Sequence, residues 1–201
     1  MNKRYAFYCS GNASRLLKYF EVHDCNRYLV DFIYYDGENE DIQEKLKNIC
    51  NNVYLAPQVN TSFNEEILDL LTNNKIDYLF CFGAKIFKGE ILLKYRNKIV
   101  NFHPSILPSF KGLNAIDRAL DSNVQVLGNT AHFIDEGIDT GPIILQSLIS
   151  RADFNDYEDV LGLQIEMLRR VWDILENELY NINEGRVVIS KKTEKVIFFS
   201  V

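Results

Sequence analysis

Through the first hundred residues, short apolar runs alternate with segments whose apolar positions recur at helical spacing. Residues 5–9 (YAFYC) read as a buried strand, followed by Ser10-Gly11-Asn12 and a helical stretch over 13–23. Residues 28–35 are the next strand. The charged segment 38–50 places Ile42, Leu46 and Ile49 on one helix face, and 53–56 is a short strand. Residues 63–74 repeat the helical pattern through Phe63, Ile67, Leu70 and Leu71. Residues 77–83 (DYLFCFG) form the most apolar strand, and 98–102 follow after one short helix. Strands apolar on both faces and alternating with helices predict an α/β fold. Its sheet is open, twisted and mostly parallel, Rossmann-like, with helices on both faces.

The texture changes at Asn101. Pro104, Pro108 and Pro142, with Gly112, Gly128, Gly137, Gly141 and Gly162, fall within the next sixty or so positions. Loops concentrate there, and loops on a rigid scaffold carry chemistry. Residues 126–133 and 142–149 read as two strands joined by the acidic turn IDEGIDTG, and 155–181 as one long helix. After Asn183-Glu184-Gly185, residues 186–190 and 196–199 are expected to form a C-terminal β-hairpin. The expected organisation is one main domain over 1–183 and a hairpin or edge segment over 184–201. The apolar pattern of that segment calls for cover, either at an edge of the chain's own sheet or in a homodimer.

Composition narrows the function classes. With 201 residues, 47% hydrophobic and 25% charged, the chain is ordinary for a folded domain. Its net charge of −6 argues against coating nucleic acid or an anionic membrane, and leaves room for a small anion held by local donors. The four cysteines (Cys9, Cys25, Cys50, Cys81) form no CxxC pair, and there are three histidines, so no metal site is expected. Cys9 and Cys81 sit in apolar runs and read as buried free thiols. No signal-like or spanning stretch is present, so a reduced, cytoplasmic setting is expected.

Three segments could carry chemistry. Residues 10–15 lie between a strand and a helix, where backbone N–H groups and the helix dipole favour an anion; a plain capped turn explains them as well. Asn101 and His103 stand two apart at the end of a strand and project to one side, suited to acid–base work and to an oxyanion; a structural histidine is the alternative. Residues 135–142 (DEGIDTGP) read as a solvated acidic turn unless a carboxylate meets His103, when it would orient the ring and favour imidazolium. His132, in the preceding strand, fits a satisfied structural role.

Together, NFHPSILPSFKG and HFIDEGIDTGP closely resemble the folate-dependent formyltransferases, nearest to their glycinamide ribonucleotide transformylases. The marks are Asn101, His103, Pro104, Ser105, Leu107, Pro108, Gly112, His132, Phe133, Asp139, Gly141 and Pro142, with the Ser10-Gly11-Asn12 start. The resemblance spans residues 5 to about 175. It implies transfer of the formyl group of 10-formyltetrahydrofolate to a primary amine, without a metal, by Asn101, His103 and Asp139. It further implies that the folate lies against Ala84, Lys85, Ile86 and Phe87 and against Asp135, Glu136, Gly137 and Ile138. A phosphate-bearing amine would meet Gly11, Asn12, Ala13, Ser14, Arg15 and Gln164. Leu107–Pro108 is expected to be a cis bend.

Several positions depart from the family pattern. Ala13 and Arg15 replace a glycine and an asparagine, Lys85 stands for an arginine, and Asn114 and Ile116 stand where many relatives carry histidine. Three residues after Gln164, a substrate-contacting glutamate becomes Met167, unless Glu166 substitutes for it. Three readings follow: a glycinamide ribonucleotide transformylase of purine synthesis, an N-formyltransferase for a nucleotide-linked amino sugar, or a non-catalytic binding protein on the same fold.

Overall fold

In the computed structural model, β1 (Tyr5–Ser10) is wholly enclosed, with no solvent exposure from Tyr5 to Cys9. The structure describes residues 3–23, 26–56, 63–190 and 196–199 and divides into two units, Met1–Val100 and Asn101–Val201. Cys25 lies outside the described residues.

In the amino-terminal unit, β1 is flanked by β2 (Val30–Asp36) and β4 (Tyr78–Phe82), and β3 (Val53–Leu55) lies beyond β2, all parallel. Parallel neighbours need crossovers, and α1 (Ser14–Val22), α2 (Glu40–Lys47) and α3 (Phe63–Asn73) supply them. Each is placed by its sequence. Asn39 caps α2 by accepting the Ile42 N–H at 3.2 Å, with Glu40 and Asp41 in the first turn and Lys45 and Lys47 in the last, complementing the helix dipole.

Adjacent residues of a strand face opposite sides of the sheet. Phe7 meets Phe20 of α1 edge-on at 5.9 Å, whereas Tyr8 packs on Phe63 of α3 at 5.1 Å, so these helices cover opposite faces. The buried aromatic rings of Tyr5, Phe7, Tyr8, Tyr34 and Phe80 fill the layers between. Cys9 and Cys81 are buried free thiols, and burial pushes both up, Cys81 to about 12. After β4 comes the short α4 (Glu90–Lys94), then β5 (Ile99–His103), within which the two units meet along the chain.

In the carboxy-terminal unit, α5 (Ala115–Leu120) precedes β6 (Val126–Phe133), which pairs antiparallel with β7 (Ile143–Ser150). The predicted single helix over 155–181 is two, α6 (Tyr157–Leu161) and α7 (Leu163–Glu176), meeting at Gly162. An Asp156/Asp159 capping box opens α6. α7 stops at Glu176 because Asn177 leaves helical geometry and Glu178 takes a left-handed backbone, φ 52°. Met167, Leu168, Val171, Trp172, Ile174 and Leu175 of α7 are buried.

The expected terminal hairpin exists with a different pairing. β8 (Tyr180–Asn183) pairs antiparallel with β9 (Arg186–Ile189) across Glu184 and Gly185, both at positive φ, the backbone a tight hairpin turn requires. Residues 186–190 and 196–199 do not pair with each other. β10 (Val196–Phe199) instead runs parallel to β7, adding a strand to the chain's own sheet. The rest of the expected terminal segment, 191–195 and 200–201, lies outside the described residues.

Gly83 makes one strong prediction. A Cβ there would fall 2.0 Å from Tyr8 Cζ, on a ring with no free space around it. Gly83→Ala is expected to lower stability by about 1–3 kcal/mol through overpacking. Chemical denaturation reads this directly, and an unchanged midpoint would mean that the ring yields.

Candidate active site

Asn101 and His103 come from the end of β5, and Asp139 from the turn between β6 and β7, all within the carboxy-terminal unit. The β5 pattern forces Asn101 and His103 to one side. The turn brings Asp139 to them through a left-handed backbone, φ 50°, a conformation aspartate tolerates better than most residues. Asp139 Oδ2 lies 3.3 Å from His103 Nδ1 and accepts the Gly112 N–H at 2.7 Å. Gly112 itself sits at φ 79°, so the turn that presents this N–H needs glycine. The Leu107–Pro108 bond in the same loop is cis, as expected.

His103 is buried, 6% exposed, and its other ring nitrogen, Nε2, lies 3.0 Å from the Phe110 carbonyl. Phe110 also has a left-handed backbone, φ 56°. Both ring nitrogens thus face acceptors. Burial nevertheless pushes the imidazolium below the ordinary histidine value. The Phe110 carbonyl and Asp139 pull it upward, and His132 and Arg118 add to the downward push. His103 is therefore neutral at neutral pH, which corrects the expectation that Asp139 holds it charged: desolvation outweighs the carboxylate.

Asp139 is the ionised member. Burial pushes its carboxyl up, but the His132 ring, the Gly112 N–H and the charge interactions with both histidines prevail and bring it to about 2. His132, whose place in the sequence allows a structural role as readily as one in the site, lies in the cluster. Its Nδ1 is 2.9 Å from the Phe133 carbonyl and so carries a proton, while Nε2 lies 3.3 Å from Asn101 Nδ2 and 3.5 Å from Asp139 Oδ1. The 132/139 spacing in the motif was the only sequence signal of this. The contact of Phe110 with His103 had none, because a backbone carbonyl leaves no mark in the residue type.

The 10–15 segment lies in the amino-terminal unit. Gly11 (φ 61°) and Ala13 (φ 49°) are both left-handed, and Asn12 Oδ1 accepts the Ser14 N–H at 3.1 Å. Alanine at 13 holds the conformation a glycine would take more cheaply. The Arg15 guanidinium stands 5.7 Å from the Phe82 ring centroid. In 84–87, Phe87 is buried and Ile86 is 70% exposed, while Lys85 Nζ pairs with Asp36 at 3.1 Å.

In 135–138, Asp135 is turned onto its own loop. It accepts the Gly137 N–H at 3.1 Å and the Thr140 hydroxyl at 2.6 Å, leaving Glu136 and Ile138 exposed. Gln164 is 1% exposed, and its amide nitrogen bonds Asn129 Oδ1 at 2.9 Å and the Phe102 carbonyl at 3.3 Å. Met167 is fully buried. Glu166 is engaged by Arg169 and Arg170, which hold its carboxyl below the usual range. Asn114 starts α5 at φ 54° and Ile116 is buried. Among the described residues, no group of three or more His, Cys, Asp or Glu could hold a metal ion, and no helix is long and apolar enough to cross a membrane.

A family model described as Formyl transferase matches residues 4–161. The phosphoribosylglycinamide formyltransferase of Bacillus subtilis is 37% identical over 112 residues, 55% of this chain and 57% of that one. The mitochondrial formyltetrahydrofolate deformylase 2 of Arabidopsis thaliana is 35% identical over 103 residues, 51% of this chain and 31% of that one. The matches thus span little more than half the length of these curated relatives, or less. Among solved structures, phosphoribosylglycinamide formyltransferase from Anaplasma phagocytophilum superposes with a TM-score of 0.86, covering 100% of both chains at 21% identity, a likeness of fold.

The pH sign of Asp139 follows from its lowered pKa. Its stabilisation is full above the unfolded carboxyl value near 4 and is lost as pH falls toward about 2. Asp139→Asn should therefore be less stable than the parent above pH 4, with the gap closing between pH 4 and 2. Denaturant titrations across that window check it; a gap independent of pH would contradict the ionised carboxylate.

Proposed function

The chain belongs to the formyl transferase family, and within it we propose that the protein transfers the formyl group of 10-formyltetrahydrofolate to the primary amine of glycinamide ribonucleotide, a step of purine synthesis. The observation that carries the reading is geometric: Asp139 lies 3.3 Å from His103 Nδ1 and 3.5 Å from His132 Nε2, and Asn101 Nδ2 lies 3.3 Å from that same His132 nitrogen. Formyl transfer needs a donor to an oxyanion and a group that takes a proton and gives it back.

The folate co-substrate supplies the formyl group on a nitrogen that leaves with a proton. Ile86 in the amino-terminal unit and Ile138 in the carboxy-terminal unit are each exposed on their own loop. Asn101 Nδ2 lies 3.3 Å from His132 Nε2, and its amide carries N–H groups that can meet the oxyanion that forms as the amine attacks. For neutral His103 to take the proton from the amine, Nε2 has to exchange the Phe110 carbonyl for the amine. As imidazolium it finds acceptors at both nitrogens, Asp139 and the Phe110 carbonyl, so the charge is met by groups already in place. It then hands the proton to the departing nitrogen. Asp139 stays ionised throughout and orients the ring.

The 10–15 loop would hold the acceptor's phosphate through backbone N–H groups at the start of α1, with Arg15 adding charge. One observation favours a second acceptor class, the nucleotide-linked amino sugars: Met167 is buried and Glu166 is bound to arginines, so α7 offers no carboxylate at that place.

The deciding assay offers 10-formyltetrahydrofolate with glycinamide ribonucleotide, then with an amino-sugar nucleotide, then with no amine, and follows tetrahydrofolate release. Acceptor-dependent turnover on the ribonucleotide is expected. Release without any amine would point to deformylation, and turnover on the sugar alone would move the acceptor. His103→Ala should cut kcat by about 10²-fold or more with folate binding retained; activity within a few-fold of the parent would remove His103 from the mechanism. Arg15→Ala should raise the acceptor's KM well above any change for the folate, whereas equal changes would make Arg15 a packing residue.

A further inference from the structure

Two tyrosines on adjacent strands of the amino-terminal unit, Tyr8 and Tyr35, are 0% exposed, yet each spends its hydroxyl on a loop. Tyr8 donates to Asp36 Oδ2 at 3.1 Å and accepts the Lys85 backbone N–H at 3.1 Å. Asp36 Oδ1 in turn holds Lys85 Nζ at 3.1 Å, closing a ring of three residues around the start of the 84–87 segment. Tyr8 also meets Phe87 of that segment edge-on at 6.0 Å, and Gly83 lies directly against its ring. The Lys85 ammonium sits 5.2 Å from the Phe63 ring centroid, so the charge is fixed within the fold.

Tyr35 does the same for the other loop. It donates to the Gly11 carbonyl at 2.6 Å, and Gly11 is the left-handed residue on which the 10–13 turn pivots. Gly37 lies against the Tyr35 ring, where a Cβ would meet the hydroxyl at 2.3 Å. Burial pushes both phenols upward from their ordinary value, so both keep the proton they donate. In the β1–β2 register Tyr8 stands beside Tyr34 and Cys9 beside Tyr35. Tyr8 and Tyr35 therefore project from opposite faces of the sheet, and no side chain is hydrogen-bonded to both hydroxyls, although the Asp36 charge is felt by both phenols.

We infer that Tyr8 and Tyr35 are separate positioning residues, Tyr8 for the segment that receives the folate and Tyr35 for the loop that receives the acceptor's phosphate. The inference rests on the function proposed above. Neither residue touches a reacting atom. Each fixes a backbone whose N–H and C=O groups have to lie correctly before a ligand arrives, so its loss should appear in binding of one ligand and hardly in kcat.

The test is crossed, and each variant is the control for the other. Tyr8→Phe and Tyr35→Phe keep the ring and remove only the hydroxyl, and thermal unfolding confirms that both fold. Calorimetric titration with 10-formyltetrahydrofolate and, separately, with ribose 5-phosphate reads the two sites without depending on which amine is the acceptor. Tyr8→Phe should weaken folate binding about fivefold or more, the worth of one hydrogen bond, and leave ribose 5-phosphate within about twofold. Tyr35→Phe should do the reverse, and kcat should stay within a few-fold in both. If the parent binds both ligands and each variant shifts both equally, or neither, the inference falls while the proposed function stands. A parent that binds no folate overturns both.

Discussion

A parallel strand buried on both faces sets the terms for the amino-terminal unit. β1 has no residue from Tyr5 to Cys9 in contact with water, so its backbone must be paired on both edges and its side chains covered on both sides. Helices α1 and α3 meet that need on opposite faces through Phe7 and Tyr8. Parallel order also means that every strand ends at the same side of the sheet. The polar residues that cannot be buried inside the layers, Ser10 to Asn12, Asp36 to Asn39 and Gly83 to Lys85, therefore gather in the turns that leave those ends. Concentration of these turns at one end is a consequence of packing, before any chemistry is considered.

The carboxy-terminal unit reaches its site by a different route. There a carboxylate is brought into partial burial and stays ionised because the Gly112 N–H and two imidazoles compensate the lost water. That arrangement needs left-handed backbone at Phe110, Gly112 and Asp139. Such conformations cost energy and persist where surrounding contacts over-determine them, and here they cluster around one histidine. Burial lowers the His103 imidazolium more than the Phe110 carbonyl and the Asp139 carboxylate raise it. A neutral ring with an acceptor at each nitrogen is poised to take up a proton, whereas a permanent imidazolium could only donate.

Much of this was legible in the residues. Continuous apolar runs at 5–9 and 77–83, alternating with helical periodicity, are enough for the parallel α/β pattern, because only a strand covered on both faces tolerates such runs. Residue type alone leaves Asn101, His103 and Asp139 explained equally by a structural histidine and a solvated turn, and it is the resemblance to the family motif that joins them as candidates. The long helix over 155–181 was misread because the apolar period continues past the break at Gly162 and past Glu178, where backbone geometry rather than hydrophobicity changes. The β-branched segment 186–199 predicts the hairpin, yet β9 pairs backward with β8, whose first two residues, Tyr180 and Asn181, fall inside the helix that the apolar period predicts.

The sequence by itself determined the alternation of strands and helices in the amino-terminal unit, which depends on local periodicity, while the resemblance to a family motif read in order supplied the catalytic candidates and the cis bend before Pro108. Only the tertiary structure decided the charge on His103, the place of His132 beside Asn101, the burial of Gln164 and Met167, and the use of Tyr8 and Tyr35 to hold loops far away in sequence. Those properties depend on how much water is removed from a group and on which distant backbone atom faces it. Desolvation and long-range hydrogen bonding are set by the packed fold and leave no periodic trace along the chain.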